Sequence, residues 1–525
     1  MNQKVRWRFA ALFALAVLVT AVVGVTAGQS ARGSHDRATA GVIIDGTTDT
    51  VTNIDPAGQY DFGSGTVDYQ IFNRLLEAGP GSLTPRPVLA TACGFKGNLK
   101  TYSCTLRKGV KFHNGDEMTS ADVKWSFDRV VKIKDPSGIY TLLSNMQSIT
   151  TSGKYGVTFH LKSPQSTWPN ILTTTAAQIV PKSVYPANKI LPNSETQVGT
   201  GPYKLTRYQP GQQAVFEPNS DFFGKKPAND GVIIRYYSKS STMKLALQRG
   251  EIDMAFRDFT PTELLSLTEA NGIKVHKGSG ASIRYLVLNT NIAPTDNPAV
   301  RRAIAYLFPR ATIASRVYHG LVKPLYSMVP AGLPGHTDAF ASVYGRSPSV
   351  AKARAALQKA GVSTPVNLEL WYTPTHYGDS SADEFAEIQR ALNASRLFKV
   401  TLKSAEWAQY SDALGKQYGA FQLGWFPDYV DAENYLLPFY ESSSNFTSNN
   451  YKSGAIDALL AREKGTKSLS ARLGIVRAAQ LVAAKDAPII PYWQGAMIAV
   501  SRSNVKGVDK TLDPTFIMRF WLISK

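Results

Sequence analysis

The chain lacks the motifs that mark common enzyme classes. Its seven histidines are scattered, and no two share the spacing of a metal-ligand pair. The zinc-protease motif H-E-x-x-H and the nucleophile elbow G-x-S-x-G are both absent from the sequence. No pair of carboxylates can be assigned to opposite walls of a cleft. The sequence therefore predicts that the protein is not an enzyme and has no catalytic residues, no metal site and no cofactor.

Acidic residues are also in short supply. Of 525 residues, 39 are Asp or Glu and 58 are Lys or Arg, which gives a net charge of +19. Such a charge would suit nucleic acid, but the basic residues are dispersed. The densest pairs outside the N-terminus lie at residues 107–108, 225–226 and 301–302, and no basic stripe has interleaved aromatics. We therefore expect no nucleic-acid partner and only a mild attraction to an anionic envelope surface.

Only two cysteines occur, Cys93 and Cys104. In an exported chain such a pair favours a disulfide. The residues between them carry a turn signal at Gly97-Asn98, so a hairpin would bring the two cysteines face to face. The bond would stabilise the fold by about 3 kcal/mol through loop entropy. A pair of buried free thiols is the alternative.

Long apolar runs are absent except at the N-terminus. Basic residues precede an apolar run over residues 9–27, which is long for an export signal and just long enough to span a bilayer. A cleaved signal and an uncleaved anchor both remain open, and either places the protein outside the cytoplasm. No cysteine follows the run, so the chain is not a lipoprotein. Residues 28–40 are polar and predict a disordered spacer.

Between residues 365 and 425 the pattern alternates between strand and helix. The predicted elements are strands over residues 367–372, 399–404 and 420–425 and helices over residues 383–396 and 407–416. This alternation predicts an α/β unit with neighbouring parallel strands. Ligands of such units bind beyond the carboxyl ends of the strands, and the segment 425–429 lies at one of those ends.

An aromatic cluster at that strand end contains a single carboxylate. The chain reads F-Q-L-G-W-F-P-D-Y over residues 421–429. Asp428 is framed by Trp425, Phe426 and Tyr429, so it is poorly hydrated and requires a positive partner. Where the chain supplies none, a ligand can. The segment therefore predicts a receptor for a cationic solute.

Five short motifs occur in a fixed order along the chain. They are L-R-K-G-V-K-F-H-N-G followed by T-S-A-D-V (residues 106–123), G-T-G-P-Y-K (199–204), L-Q-R-G-E-I-D (247–253), N-P-A-V-R-R-A-I (297–304) and P-I-I-P-Y (488–492). Their sequences and order resemble those of family 5 extracellular solute-binding proteins, the peptide and nickel receptors of ABC importers. The resemblance covers about residues 40 to 525.

The resemblance implies an α/β fold with two lobes, like that of periplasmic binding proteins, and an extra subdomain in the larger lobe. The larger lobe would comprise residues 41–283 and 490–525, with the extra subdomain at about 82–196, and the smaller lobe residues 284–489. Such a protein closes on a peptide or other small solute by a hinge and delivers it to the permease subunits of an importer. We expect a monomer that is periplasmic, attached to the cell surface or secreted.

The resemblance also implies roles for particular residues. A Gly-Trp-x-x-Asp motif, here Gly424, Trp425 and Asp428, supplies an aspartate for the α-ammonium group of a peptide. The backbone at Gly424 and Phe426 would pair with the extended peptide as an added strand. Trp407 resembles an aromatic residue that lines a side-chain pocket, and a core aromatic at a helix start is the alternative.

One departure from the family pattern concerns the other end of the ligand. Oligopeptide-binding members often carry an arginine near this strand for the ligand carboxylate. Here Gln422 stands two residues before Gly424, and no arginine lies between Trp407 and Asp428. The partner of a ligand carboxylate is therefore not identified from the sequence. A non-peptide solute, such as a metal chelate, a cationic small molecule or a sugar, remains an alternative.

Overall fold

The computed structural model describes residues 41–444 and 446–525. The predicted export signal or anchor at residues 1–27 and the predicted spacer at residues 28–40 lie outside these residues. Within the described ranges, no helix combines the length and apolar character needed to cross a membrane.

The strands are numbered in chain order. They are β1 Val42–Thr47, β2 Leu76–Ala78, β3 Pro85–Pro87, β4 Ala90–Phe95, β5 Thr101–Leu106, β6 Met146–Ser152, β7 Gly156–Leu161, β8 Tyr203–Gln209, β9 Gln213–Pro218, β10 Gly231–Tyr236, β11 Met254–Phe256, β12 Ile273–Gly278, β13 Ile283–Leu288, β14 Val322–Pro324, β15 Val366–Tyr372, β16 Phe398–Ser404, β17 Ala420–Trp425, β18 Ile489–Gly495 and β19 Met497–Arg502.

Helices connect these strands and cover the sheets. The α-helices of eight or more residues are Phe62–Ile71, Ser120–Ile133, Ser240–Arg249, Pro261–Thr268, Pro298–Leu307, Val350–Lys359, Ser381–Ala394, Gly454–Lys464 and Leu469–Asp486. Shorter α-helices are Trp168–Ile171, Arg310–Thr312, Ala339–Tyr344, Trp407–Ala413 and Leu437–Tyr440. Single turns of other helix types lie at Tyr140–Leu143, Thr175–Ala177, Ile313–Val317, Ala432–Tyr435, Val508–Lys510 and Phe520–Leu522.

Two large mixed sheets form the framework. The first sheet has the order β12-β19-β11-β1-β10-β9-β8, and β1 runs parallel to both of its neighbours. The second sheet has the order β14-β18-β13-β17-β15-β16. Every residue of β13 is buried, as expected for a central strand that is covered on both faces.

The second sheet contains the α/β unit predicted from the sequence. Strand β15 runs parallel to β16 and to β17, and helix Ser381–Ala394 connects β15 to β16. The predicted strand at residues 420–425 has the bounds of β17, and the other predicted elements agree within a few residues, helix 407–416 ending early at Ala413. The prediction of an α/β unit with parallel strands is confirmed.

The chain passes from one large sheet to the other twice. It leaves the first sheet after β12 and enters the second at β13, and it returns between β18 and β19. Strand β18 pairs with β13, so the return falls between Gly495 and Met497. The lobe boundaries expected at 283/284 and 489/490 stay predictions, and the strand pairing places the second change of sheet a few residues after the expected one.

A third, four-stranded antiparallel sheet, β4-β5-β7-β6, lies within the segment predicted as an extra subdomain. Cys93 on β4 is directly opposite Cys104 on β5, and the two form a disulfide. The predicted disulfide is therefore confirmed. Helix Ser120–Ile133 packs on this sheet and begins with a capping box in which Thr119 and Asp122 satisfy each other's backbone N–H groups.

Candidate ligand-binding site

The predicted site residues around position 428 follow the end of β17. The structure brings them against Tyr60 and Phe62, which lie more than 360 positions earlier in the chain. Gly424 and Trp425 are the last residues of the strand, and Phe426 begins the turn that leads to Asp428. The carboxyl end of β17 is thus a meeting point of distant segments, as expected for the strand ends of an α/β unit.

Both carboxylate oxygens of Asp428 accept hydrogen bonds from neutral donors. Oδ1 accepts from the Tyr60 hydroxyl at 2.9 Å, and Oδ2 accepts from the side-chain amide of Asn434 at 3.1 Å. The backbone N–H of Asp428 donates to Asn434 Oδ1 at 2.9 Å, so Asn434 holds this residue at two points. These contacts orient the carboxylate without adding a positive charge.

In the described part of the chain, Asp428 forms no ion pair. Its side chain is partly buried, and burial raises the pKa of Asp428 above its usual value, while the hydrogen bonds from Asn434 and Tyr60 oppose that rise. A desolvated carboxylate with only neutral partners is stabilised by an incoming cation. The positive partner that the sequence requires is therefore not provided by the described residues.

Trp425 and Tyr429 are both buried beside Asp428. Trp425 is 6% exposed, its ring lies 5.2 Å from that of Phe439, and its indole N–H donates to Asn434 Oδ1 at 3.3 Å. Tyr429 is 7% exposed, and its hydroxyl donates to Glu433 Oε2 at 3.1 Å. The polar atoms of both rings are thus used inside the protein.

A single helical turn, Ala432–Tyr435, carries Asn434. Asp431 caps this turn by accepting a backbone N–H from within it at 2.9 Å. The guanidinium of Arg472 binds Asp431 and also Glu463. A buried network of charged groups therefore holds the turn that positions the carboxylate of Asp428.

Phe426 is the exposed aromatic residue of the cluster, with 39% of its surface accessible. Its ring lies 4.7 Å from that of Phe62 and 5.3 Å from that of Phe516, and the guanidinium of Arg257 lies over Phe62 and Phe426. A cavity of about 250 Å³ opens beside Phe426. Its walls come from segments next to both large sheets and include Arg257, Phe259, Val322, Trp493 and Met497.

Strand β17 leaves one edge open near Gly424. On one side, β13 pairs with β17 along its whole length. On the other side, β15 pairs only with Ala420 and Phe421, and no strand in the described part of the chain covers residues 422–425 there. An open edge presents backbone groups with which an extended ligand can pair. On this stretch the hydroxyl of Tyr410 donates to the carbonyl oxygen of Gln422 at 2.8 Å. The backbone pairing expected at Gly424 and Phe426 stays a prediction.

Trp407 begins a short helix and is partly buried. The imidazole of His376 stacks on its indole at 3.6 Å, and the ring of Tyr377 approaches it edge-on at 5.8 Å. Tyr377 in turn lies close to Gly424. Trp407 thus connects to the end of β17 through Tyr377, and its role in a side-chain pocket stays a prediction.

Sequence reasoning missed two residues that hold the carboxylate of Asp428. Tyr60 lies 368 positions away, and no local pattern connects it to the motif. Asn434 had a local signal, because Asp431 precedes it by three residues and reads as a turn cap. This signal lies beyond Asp428, the last residue of the Gly-Trp-x-x-Asp motif.

Comparison with known proteins identifies the family. The model of bacterial extracellular solute-binding proteins, family 5 (middle region), matches residues 84–447. The probable D,D-dipeptide-binding periplasmic protein DdpA of Escherichia coli is 27% identical over 470 residues, which cover 86% of this chain and 88% of that protein. The dipeptide-binding protein of Pseudomonas aeruginosa is 27% identical over 487 residues, which cover 86% of this chain and 89% of that protein.

A solved structure shows the same fold. The ABC transporter-associated periplasmic binding protein DppA from Helicobacter pylori, in complex with the peptide STSA, matches with a TM-score of 0.76 at 24% identity, over 92% of this chain and 98% of that chain. The predicted two-lobed α/β fold and the resemblance drawn from the five motifs are confirmed. The chain belongs to family 5 of the bacterial extracellular solute-binding proteins.

Proposed function

We propose that the protein is the extracytoplasmic receptor of an ABC importer and captures peptides between its two lobes. Two relatives are named for dipeptides, and one structural neighbour was solved with a bound peptide. The observation that carries the proposal to this chain is the carboxylate of Asp428. It is partly buried, held in place by Tyr60 and Asn434, and has no cation among the described residues. This arrangement suits the α-ammonium group of a peptide.

Different parts of the site would bind the backbone and the side chains of a peptide. The open edge of β17 would pair with the ligand backbone at Gly424 and Phe426, and this pairing is independent of side-chain identity. Phe426 and the cavity beside it would receive an apolar ligand side chain. Trp425 and Tyr429 would exclude water behind the carboxylate, and Trp407 would border a second pocket through Tyr377. We therefore expect the protein to bind peptides of many different sequences.

The proposal includes partners and location. The closed, loaded protein would dock on the permease subunits of an importer as a monomer, and it binds its solute without catalysing a reaction. Residues 9–27 would export the chain, either as a cleaved signal or as an anchor. N-terminal sequencing of the membrane and medium fractions distinguishes the two, because a start near Gly28 means cleavage.

The test is the affinity of the Asp428→Asn variant for trialanine. Removal of one member of a desolvated charge pair costs about 3–5 kcal/mol, since the other charge stays buried and unpaired. At about 1.4 kcal/mol per tenfold, calorimetry should find binding weakened by roughly 10²- to 10³-fold. The exposed Asp412 provides the matched control, because Asp412→Asn makes the same change of charge on a surface helix and should leave the affinity unchanged.

N-acetyl-trialanine tests the same contact from the side of the ligand. The wild-type protein should bind this acetylated peptide weakly. The Asp428→Asn substitution should reduce that affinity little further, because the peptide has no ammonium group to pair with Asp428. Equal affinity of wild type for trialanine and its acetylated form would contradict the ammonium role of Asp428 and favour a non-peptide solute.

A further inference from the structure

Arg284 is a buried cation at the end of β17. It lies on β13 directly opposite Gly424 in the strand pairing, and it is 7% exposed. Its guanidinium carbon lies 4.1 Å from the ring centre of Tyr377 and 4.9 Å from that of Trp493. Trp493 also lines the cavity beside Phe426. Arg284 thus packs against a residue that forms part of the wall of that cavity.

Most N–H groups of Arg284 have no acceptor in the described part of the chain. Nη2 donates to the carbonyl oxygen of Tyr377 at 3.1 Å, whereas Nε is buried without a hydrogen-bond partner. Arg284 forms no ion pair with any carboxylate of the described residues. A buried guanidinium has five N–H donors, and leaving them unpaired costs free energy unless an anion is supplied.

Glu384 is the carboxylate whose charge acts on Arg284, but its own hydrogen-bonding capacity is used. Its donors are the hydroxyls of Tyr318 and Tyr492, the indole of Trp493 and the side-chain amide of Gln422. Four neutral donors fill the acceptor positions of a carboxylate. Burial lowers the pKa of Arg284, and the negative charge of Glu384 with nearby tyrosines more than offsets that effect. Arg284 therefore remains charged while most of its donors remain free.

Gly424 leaves room for this guanidinium. A Cβ atom on Gly424 would lie 2.5 Å from Nη1 of Arg284 and 3.1 Å from Cε1 of Tyr377. A larger residue would displace the arginine from the strand edge. The glycine of the G-W-F-P-D segment thus places a cation beside the backbone that we propose for ligand pairing.

We infer that Arg284 binds a carboxylate of the ligand, so that the site recognises short zwitterionic peptides through Asp428 and Arg284 together. The inference rests on the proposed function. Gly424 and Asp428 are four positions apart, so their Cα atoms lie within about 14 Å of each other. A di- to tetrapeptide spans such a distance at about 3.3–3.6 Å per residue. The arginine that is missing between Trp407 and Asp428 is thus replaced by one from the neighbouring strand.

The carboxylate has two sources in a peptide, the C-terminus and an acidic side chain, and three probes distinguish them. They are trialanine, trialanine amide and Ala-Glu-Ala amide. Loss of a partner from a buried charge pair costs at least about 2 kcal/mol, or roughly 30-fold. Wild type should therefore bind trialanine at least about 30-fold more tightly than the amide. Recovery of affinity with Ala-Glu-Ala amide would assign the contact to the side chain instead.

The Arg284→Gln variant tests the same contact from the side of the protein. It should bind trialanine and its amide with equal, weakened affinity, while Arg284→Lys, which keeps the charge but not the planar fork, should retain part of the discrimination. Arg302→Gln removes an exposed guanidinium from the helix Pro298–Leu307 and serves as the matched control. Near-ultraviolet circular dichroism of each variant checks the fold.

If Arg284→Gln fails to fold, the affinities of the wild-type protein alone still test the role of Arg284. Equal affinity of wild type for trialanine, trialanine amide and Ala-Glu-Ala amide would overturn the role of Arg284 and leave the proposed peptide receptor standing. An Arg284→Gln variant that folds and keeps the wild-type preference for the acid over the amide would overturn it as well. A wild type that binds none of these peptides would overturn the proposed function and this inference with it.

Discussion

Asp428 and Asp431 lie three residues apart in the segment that follows β17, yet they have opposite kinds of partner. Asp431 is bound by the guanidinium of Arg472 and also accepts a backbone N–H at 2.9 Å. Asp428 accepts hydrogen bonds only from the neutral Tyr60 and Asn434. A carboxylate with an internal cation contributes to the fold, whereas one held by neutral donors is available to an external cation. We attribute stability to the first and ligand binding to the second.

Removal of the Arg472 side chain, which is more than nine-tenths buried, is the strongest test of the difference between the two aspartates. Arg472→Met would leave the carboxylates of Asp431 and Glu463 without their cation, and we expect a loss of about 3–5 kcal/mol in the free energy of unfolding. Urea unfolding at pH 8 measures this loss. Asp428→Asn should change the free energy of unfolding by less than about 1 kcal/mol, because its partners are neutral.

A partly exposed ion pair gives the control for that measurement. Lys464 binds Glu441 at 2.7 Å, and both side chains are about a quarter exposed. Because water can hydrate the carboxylate of Glu441 when Lys464 is removed, Lys464→Met should lower the free energy of unfolding by about 1 kcal/mol or less. Equal losses in Arg472→Met and Asp428→Asn would remove the distinction between the two aspartates.

The charged network behind the turn also predicts a dependence of stability on pH. Burial raises the pKa of Glu463 to about 8, the charge of Glu433 adds to this rise, and Arg472 opposes it. In the unfolded chain the pKa of this group returns to about 4.5. Between these two values the folded protein keeps a proton that the unfolded chain has released, so the free energy of unfolding falls as the pH rises.

Glu463→Gln imitates the protonated side chain and should remove this part of the pH dependence. We expect the variant to be more stable than wild type by about 1–2 kcal/mol at pH 8, and this advantage to disappear as the pH falls below about 4.5, where Glu463 becomes protonated in both states. The gain is smaller than the full shift because glutamine pairs less well with Arg472. Urea unfolding at pH 4.5, 6.5 and 8 tests the slope, and parallel slopes for the two proteins would contradict the assignment.

The sequence predicts the local parts of this site but not the contacts between distant segments. The alternation of strand and helix patterns over residues 365–425 predicts strand β17 with the bounds Ala420–Trp425 that the structure shows. The Cys93–Cys104 disulfide followed from a turn signal between two cysteines. Both features depend on a few neighbouring residues, where sequence patterns are most informative.

Tyr60 and Arg284 show why the rest was not predictable. Tyr60 reaches Asp428 only after the chain has passed from the first large sheet to the second, and no periodicity in the sequence records such a passage. Arg284 occupies a strand whose other residues are apolar, so by pattern it reads as an interruption of the core. Its place beside Gly424 depends on the register between β13 and β17, which a single sequence does not specify.

The smallest expected effect concerns Tyr60, the neutral donor that distinguishes Asp428 from Asp431. The ammonium group requires an ionised carboxylate, and burial raises the pKa of Asp428. The affinity for trialanine should therefore fall as the pH decreases through that raised pKa, while the ligand ammonium stays charged below about pH 7. Because the hydrogen bond from Tyr60 lowers the pKa of Asp428, Tyr60→Phe should move the midpoint of this decrease to higher pH.

At pH 7 the loss in Tyr60→Phe should be modest, because a single hydrogen bond contributes about 0.5–1.5 kcal/mol, or roughly 2- to 12-fold in affinity. Calorimetry from pH 4 to 7 separates the shifted midpoint from this uniform loss. Tyr155→Phe is the matched control, since the Tyr155 hydroxyl also donates to a carboxylate, that of Glu117, but next to the four-stranded sheet. A midpoint that is unchanged in Tyr60→Phe, or that moves equally in Tyr155→Phe, would mean that Tyr60 does not tune Asp428. The contrast between the two aspartates would then rest on the cation of Arg472 alone.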